Sequence, residues 1–459
     1  MILNELTAET GPHPFIYGSE TELAINLLDT RYSETASLFD YNNVFYGVLA
    51  QAFADNIPPN DIDFISNGGR LYLDGEHLEV STPECYGLYQ LVTYELAMEQ
   101  IAVRGLGRLM EEGWLRGFQI NKRSSDHEGN RWGAHENCSN NRVVDYNNLT
   151  YQKRLNDARL THQLTRVIYT GEGGLMPNAD NDRLHYAMSP RIAGTDGSMS
   201  VQTMIYPTVC TDYKLSSATG GRLQNCAGAN VSPWAIAVKH GMNAVLSMLA
   251  DQQIESIPVL NNPDMAKYFI AGSSIKGLKT RLEDIDGKTW RPTDIQHHIA
   301  SVALNDLDLA NDEIWACHEV ISACDTLDAD PHACADRIDW IKRLEYLSSK
   351  HLPRIAFTPN KNLQVQNADF AWDTLAISDE SEGIEQLPGA GVKTRALGWG
   401  WHNIEQASQI EIQEATYTPP NTRAAERVKL LRQGCEEVDY NGNDDYPLPN
   451  PYGGNLKNS

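Results

Sequence analysis

Several signals are absent from this 459-residue sequence, and each absence narrows what it does. None of the eight cysteines forms a Cys-x-x-Cys pair, so neither a disulfide scaffold nor a redox dithiol is indicated. No Gly-x-Gly-x-x-Gly lies between a strand and a helix, and no Gly-x-x-x-x-Gly-Lys-Ser/Thr loop occurs. A Rossmann domain and a P-loop are therefore not expected, and a bound nucleotide must be held in another way. No run approaches the roughly 18 apolar residues of a membrane span, and "MILNELTAETGPHPFIYG" has neither a basic start nor a long apolar core, so a cytoplasmic protein is expected. Positive charge is scarce. Lys and Arg total 37 against 61 Asp and Glu, a net charge of −24, which argues against nucleic acid or an anionic membrane as partner. Repeats and low-complexity segments are missing too.

What is present describes an ordinary globular chain, 21% charged and 41% hydrophobic. Its length suits roughly two or three domains, or one large domain with an appendage. In "NGGRLYLDGEHLEVSTPE", strand periodicity puts Arg70, Tyr72 and Asp74 on one face and Leu71 and Leu73 on the other. The next run puts His77, Glu79 and Ser81 opposite Leu78 and Val80. A third, "FIYGSETELAI", places Glu20 and Glu22 on the face of Gly18, with Thr21 and Leu23 toward a core. Two half-solvated edge strands account for such a pattern. So does a divalent cation, because hard cations take oxygen ligands and bridge to phosphates, for which Arg70 would be placed.

Helical spacing follows from Leu88 to Met110, with Gly105 and Gly107 expected to break or bend it. Ser232-Pro233 reads as a helix N-cap and first turn, and residues 294–350 are almost wholly helical. The segment "SMSVQTMIYPTV" is strand-like, and "FQINKRSSDHEGNRWGAHENCSNNR" is polar and loop-rich. Cys317, His318, Cys324, His332 and Cys334 have atoms suited to zinc, but "EIWACHEVISACDTL" reads more simply as a helix with its cysteines inward. Trp340 and Trp372 are expected in the core. His297, His298, His318 and His402 have no identifiable partners. Strands and helices occur without regular βαβ alternation, which favours an α+β fold with a largely antiparallel sheet.

In chain order, "GSETE", "NGGRLYLD", "HLEVSTPE", "GAHEN", "GRLQNCAGAN" and "TPPNTRAAER" resemble the motifs of the Pup ligase and Pup deamidase family. The resemblance implies a glutamine-synthetase-like catalytic domain over 1–420, with flanking helices, and a small C-terminal domain over 421–459. By this resemblance Glu20, Tyr72 and Glu79 match metal-site positions. Glu22 and the His135-Glu136 pair join them as candidate ligands. Arg70 and Thr82 match positions that touch ATP, and Asp74 matches the catalytic aspartate. Arg423 and Arg427 match arginines suited to phosphate or nucleotide contact, and Tyr440 in "VDYNG" falls where an adenine-stacking side chain is expected. The implied cofactors are ATP and Mg²⁺. The implied partners are a small ubiquitin-like modifier and lysine-bearing proteins.

The implied chemistry suits these residues. ATP would phosphorylate a glutamate carboxylate, and an amine would then attack the acyl phosphate. A protonated lysine cannot attack, so a nearby carboxylate must take its proton, a task Asp74 fits. There are departures: the family's Arg-Leu-His reads Arg222-Leu223-Gln224, the aspartate of Gly-Asp-Ala-Asn is Ala or Gly, and a tyrosine after His-Glu-Asn is Cys138. The short separation of Glu20 from Asp74 favours the ligase, whereas "STPE" resembles the deamidase. A non-catalytic binder of modifier or nucleotide is a third alternative. Any modifier groove is expected to be locally basic or apolar, using "NKRSSD" and "KRLEYLSSK" with Arg343.

Overall fold

The computed structural model describes residues 15–30, 64–74, 77–113, 115–127, 130–140, 149–178, 180, 183–194, 209–217, 220–252, 254–349, 358–359, 363–379, 383–385 and 409–432. Its main feature is a ten-stranded sheet in which every pairing is antiparallel. The strands are β1 (Ile16–Thr30), β2 (Arg70–Asp74), β3 (His77–Ser81), β4 (Cys85–Tyr86), β5 (Leu115–Asn121), β6 (Ala134–Asn140), β7 (Val209–Ser217), β8 (Gly220–Ala227), β9 (Thr374–Asp379) and β10 (Gly383–Glu385). The main path runs β10-β9-β5-β1-β6-β8-β7, while β2 reaches the sheet through β3, and β3 and β4 pair with β1. The expected α+β class is therefore observed.

The long strand β1 organises the sheet by changing partners along its length. Its first half pairs with β6 on one side and with β4 and β3 on the other, and Ala24–Thr30 then pairs with β5. One face of the sheet rests on α1 (Leu88–Glu111), where Leu23, Leu71, Leu78, Val80, Phe118 and Ile120 pack against Met98, Ile101 and Leu106. This helix runs unbroken through Gly105 and Gly107, contrary to expectation. Both glycines are buried, and the tertiary packing outweighs a propensity cost of about 1 kcal/mol each.

A larger core fills the helical half around Trp234, Trp315 and Trp340. It joins α2 (Leu149–Thr165), α3 (Pro233–Gln252), α4 (Pro292–Asp306), α5 (Asn311–Ala329) and α6 (Asp339–Ser349). Ser232 caps α3 as expected, its hydroxyl accepting the Ala235 N–H at 3.3 Å. The thiols of Cys317, Cys324 and Cys334 are buried, while His318 and His332 point outward, so the inward-cysteine reading holds. Trp340 and Trp372 are core residues. Among the described residues no helix is long and apolar enough to cross a membrane. Of the strand expected around "SMSVQTMIYPTV", the part up to residue 208 lies outside the described residues, as does His402.

Beyond the sheet, α7 (Leu363–Trp372), α8 (Gln409–Ala415) and α9 (Arg423–Arg432) follow. Ala424, Val428 and Leu431 of α9 are buried. Gly68, with φ of +82°, allows the close approach, since a Cβ there would lie 2.9 Å from that of Ala424.

Candidate active site

Alternation along β1 sends Tyr17, Ser19, Thr21 and Leu23 inward and leaves Gly18, Glu20 and Glu22 partly exposed. Register carries this face across the neighbouring strands. Glu20 stands opposite Ser81 on β3 and His135 on β6, and Glu22 stands opposite Glu79. On the next strand Arg70, Tyr72 and Asp74 stand opposite Ser81, Glu79 and His77. Motifs far apart in sequence thus meet on one face because each is a strand with the same period of two.

The side chains interlock there. Tyr72 donates its hydroxyl to Glu79 Oε1 at 2.5 Å, and His135 Nδ1 lies 2.9 Å from Glu20 Oε2. Gln224 donates to the same Glu20 oxygen at 3.0 Å, which gives the departure from Arg-Leu-His a definite place. Glu22 Oε2 accepts the Gly133 N–H at 2.8 Å and lies 2.8 Å from His77 Nδ1. Ligand atoms of Glu20, Glu79 and His135 lie within 4.8 Å of one another, and so do those of Glu22, Asp74 and Glu79. Two overlapping oxygen-rich clusters therefore share Glu79.

Electrostatics marks the cluster as short of positive charge. Burial, reinforced by the charges of Glu20 and then Glu22, pushes Glu79 up to about 8 despite His135 and the Tyr72 hydrogen bond. Burial would lower His135, but the hydrogen bond and charge of Glu20, with Glu79 and Glu22, push it up to about 9. Burial would likewise raise Glu22, yet the hydrogen bonds from His77 and Gly133 hold it below its ordinary value. Tyr72 is raised far above its ordinary value, by burial and then by the Glu20 and Glu79 charges. Near neutral pH these shifts favour protonated Glu79 and His135, and a divalent cation would offset the same negative charge. The donor set fits a hard ion such as Mg²⁺.

Arg70 and Arg427, expected from the family resemblance to contact nucleotide, lie beside this face. Arg70 places its guanidinium 4.4 Å from the centre of the Tyr72 ring and 5.7 Å from that of Phe64. Arg427 lies 4.1 Å from the same Phe64 ring, donates to Gly68 O at 2.9 Å and pairs with Glu84. Thr82 continues β3, with its hydroxyl accepting the Ser19 N–H at 3.0 Å. Arg423 begins α9, and Tyr440 lies outside the described residues.

Two expectations are corrected. Glu136 does not join the ligand cluster. Adjacent strand residues face opposite ways, so with His135 on the site face Glu136 lies on the buried one, where Arg166 holds both its oxygens at 2.6 and 2.8 Å. Burial would raise its carboxyl, but the charges of Arg166 and Lys239 with the Arg166 hydrogen bonds together hold it low. Lys122 and Arg343 of the suggested basic groove are likewise interior. Lys122 is buried against Glu95 and Glu99, and Arg343 is buried against Asp369 and Asp373. These cations neutralise buried acids and offer no docking surface. His77, Gly133 and Gln224 were not anticipated as members. For His77 the sequence held a signal in its sharing of a face with Glu79, and for Gln224 in its standing where the family's Arg-Leu-His has histidine.

The family model of the Pup-ligase protein matches residues 16–441. The chain belongs to the Pup-ligase family. Among curated relatives, the Pup–protein ligase of Acidimicrobium ferrooxidans is 27% identical over 436 residues, covering 92% of this chain and 89% of that one. That of Xylanimonas cellulosilytica is 26% identical over 448 residues, covering 91% and 89%. Two solved structures share the fold of this Pup-ligase family member. The complex between prokaryotic ubiquitin-like protein Pup and its ligase PafA superposes with a TM-score of 0.69 at 22% identity, covering 91% of this chain and 83% of that one. PafA in complex with ADP gives 0.64 at 22% identity, covering 88% and 86%.

Proposed function

We propose that this protein is an ATP-dependent ligase that joins a glutamate carboxylate of Pup, or a closely similar modifier, to a lysine amine of a target protein. The observation that carries the reading is the convergence of Glu20, Glu22, Tyr72, Asp74, Glu79 and His135 on one sheet face, in a chain of this family. Relatives named Pup–protein ligase over nearly the full length support it, as does the likeness to a ligase seen with ADP.

The reaction has two steps. A carboxylate oxygen of the modifier attacks the γ-phosphorus of ATP, ADP leaves, and an acyl phosphate results. The amine then attacks the acyl carbon, a C–N bond forms, the bond to phosphate oxygen breaks, and inorganic phosphate leaves. Mg²⁺ held by Glu20, Glu79 and His135, with Glu22 beside them, would neutralise charge on the phosphate oxygens.

The chain's own residues do the rest. Asp74 is exposed at the end of β2 and takes the proton that the lysine ammonium must lose. Arg70 and Arg427, gathered around Phe64, face the anionic nucleotide, with Thr82 and Arg423 nearby in sequence to the same edges. Tyr72 fixes the Glu79 carboxylate, while His77 and Gly133 fix Glu22. By the family resemblance, Tyr440 would stack on the adenine. Such chemistry belongs in the cytoplasm, where ATP is available. The test is Asp74→Asn with ATP, Mg²⁺, Pup ending in glutamate and a lysine-bearing acceptor. Loss of the adduct with ATP still bound is expected, and unchanged ligation would overturn the assignment.

A further inference from the structure

The loop between β5 and β6 ends on an aromatic side chain beside the carboxylates. Its backbone is folded back on itself: Trp132 N–H donates to Ser124 O at 3.1 Å, Asp126 N–H to Asn130 O at 3.1 Å, and Ser125 bridges Arg131. Gly133 anchors the loop to the site by donating to Glu22, and a Cβ there would fall 2.9 Å from Glu22 Oε1 and 3.1 Å from His135 Nε2. The partly exposed indole of Trp132 thereby rests against His77, ring centres 5.7 Å apart, and His77 stands directly opposite Asp74.

We propose that Trp132 is the wall of the acceptor pocket, taking the aliphatic stem of the incoming lysine and directing its nitrogen toward Asp74. The inference rests on the ligase reading above. A lysine side chain is four methylenes ending in an ammonium, so it needs an apolar surface beside a negative one. Exposed Asp74, with partly exposed Glu22 beside it, supplies the negative surface. The other aromatic ring among the described residues of this face, Tyr72, is covered by Arg70 and tied to Glu79. Trp132 is left as the accessible apolar surface, and indole is the best natural ring for a cation.

The experiment compares two nucleophiles in the full-length protein with ATP, Mg²⁺ and Pup ending in glutamate. One is Nα-acetyl-lysine. The other is hydroxylamine, which has no stem and converts the acyl phosphate to a hydroxamate with release of phosphate. In Trp132→Ala the ratio of kcat/KM for the lysine derivative to that for hydroxylamine should fall about tenfold, mainly through a higher lysine KM, and Trp132→Phe should recover most of it. An unchanged ratio in a wild-type-like background that makes both products overturns the inference alone, including when both reactions fall together. Formation of neither product by the wild-type protein overturns the ligase reading and this inference with it.

Discussion

His135 and Glu136 are neighbours in sequence and part company in the fold, and the difference between them is testable. Glu136→Gln leaves Arg166 buried without its anion, so a loss of about 3–5 kcal/mol is expected by chemical denaturation, with or without Mg²⁺. Glu20→Gln, on the other face, should instead weaken Mg²⁺ binding measured by calorimetry. At Asp74, substitution by asparagine should slow adduct formation by about 10²–10⁴-fold, the range for a positioned general base. The pH dependence has a definite sign. His135 is raised from an ordinary 6.5 to about 9, so its stabilisation of the metal-free protein is complete below pH 6.5 and lost as pH rises through 9. Glu79, raised from 4.5 to about 8, favours its protonated folded form in the same direction, with the loss falling between 4.5 and 8. A cation that replaces these protons therefore helps more at higher pH. The rise in melting temperature on adding Mg²⁺ should grow from pH 6 to 9, and a rise independent of pH would contradict the ligand assignment. At this scale the acids were legible because a period of two sorts them by face. The same rule, applied to "AHENC", already separates Glu136 from His135. Gly133 was not legible, since its role depends on a backbone N–H and on the absence of a Cβ.

Among the elements, β1 matters most, because it joins β3, β5 and β6 and so brings Glu20 and Glu22 to Glu79 and His135. The strands could be read from alternation, but their order could not, since pairing partners are separated by long stretches of chain. Helix α9 shows the same limit. Its sequence forms a helix with capping polar residues, yet its docking through Ala424, Val428 and the Arg427–Glu84 pair depends on Gly68 more than 350 residues earlier. Gly68→Ala strains a positive-φ position and presses on Ala424, so a loss of about 1–3 kcal/mol is expected in thermal melts. ATP affinity should fall with it, because Arg427 and Arg70 share the Phe64 ring. Unaltered ATP affinity would separate α9 from the nucleotide edge.

For the whole molecule, the net charge of −24 says nothing of where its cations are used. Lys122, Arg166 and Arg343 neutralise buried acids supplied by distant elements, a placement invisible before the chain is folded. Charge reversal at Arg343 should therefore unfold the protein rather than weaken modifier binding selectively. The central claim concerns one reaction, and one measurement addresses it: intact-protein mass spectrometry after incubation with ATP, Mg²⁺, Pup ending in glutamate and a lysine-bearing acceptor, with ADP assayed in parallel. The predicted result is an acceptor carrying Pup through an amide, its mass the sum of the two less one water, with one ADP formed per bond. No adduct and no ADP, with a gain of about one dalton seen only when Pup ending in glutamine is supplied instead, would contradict it.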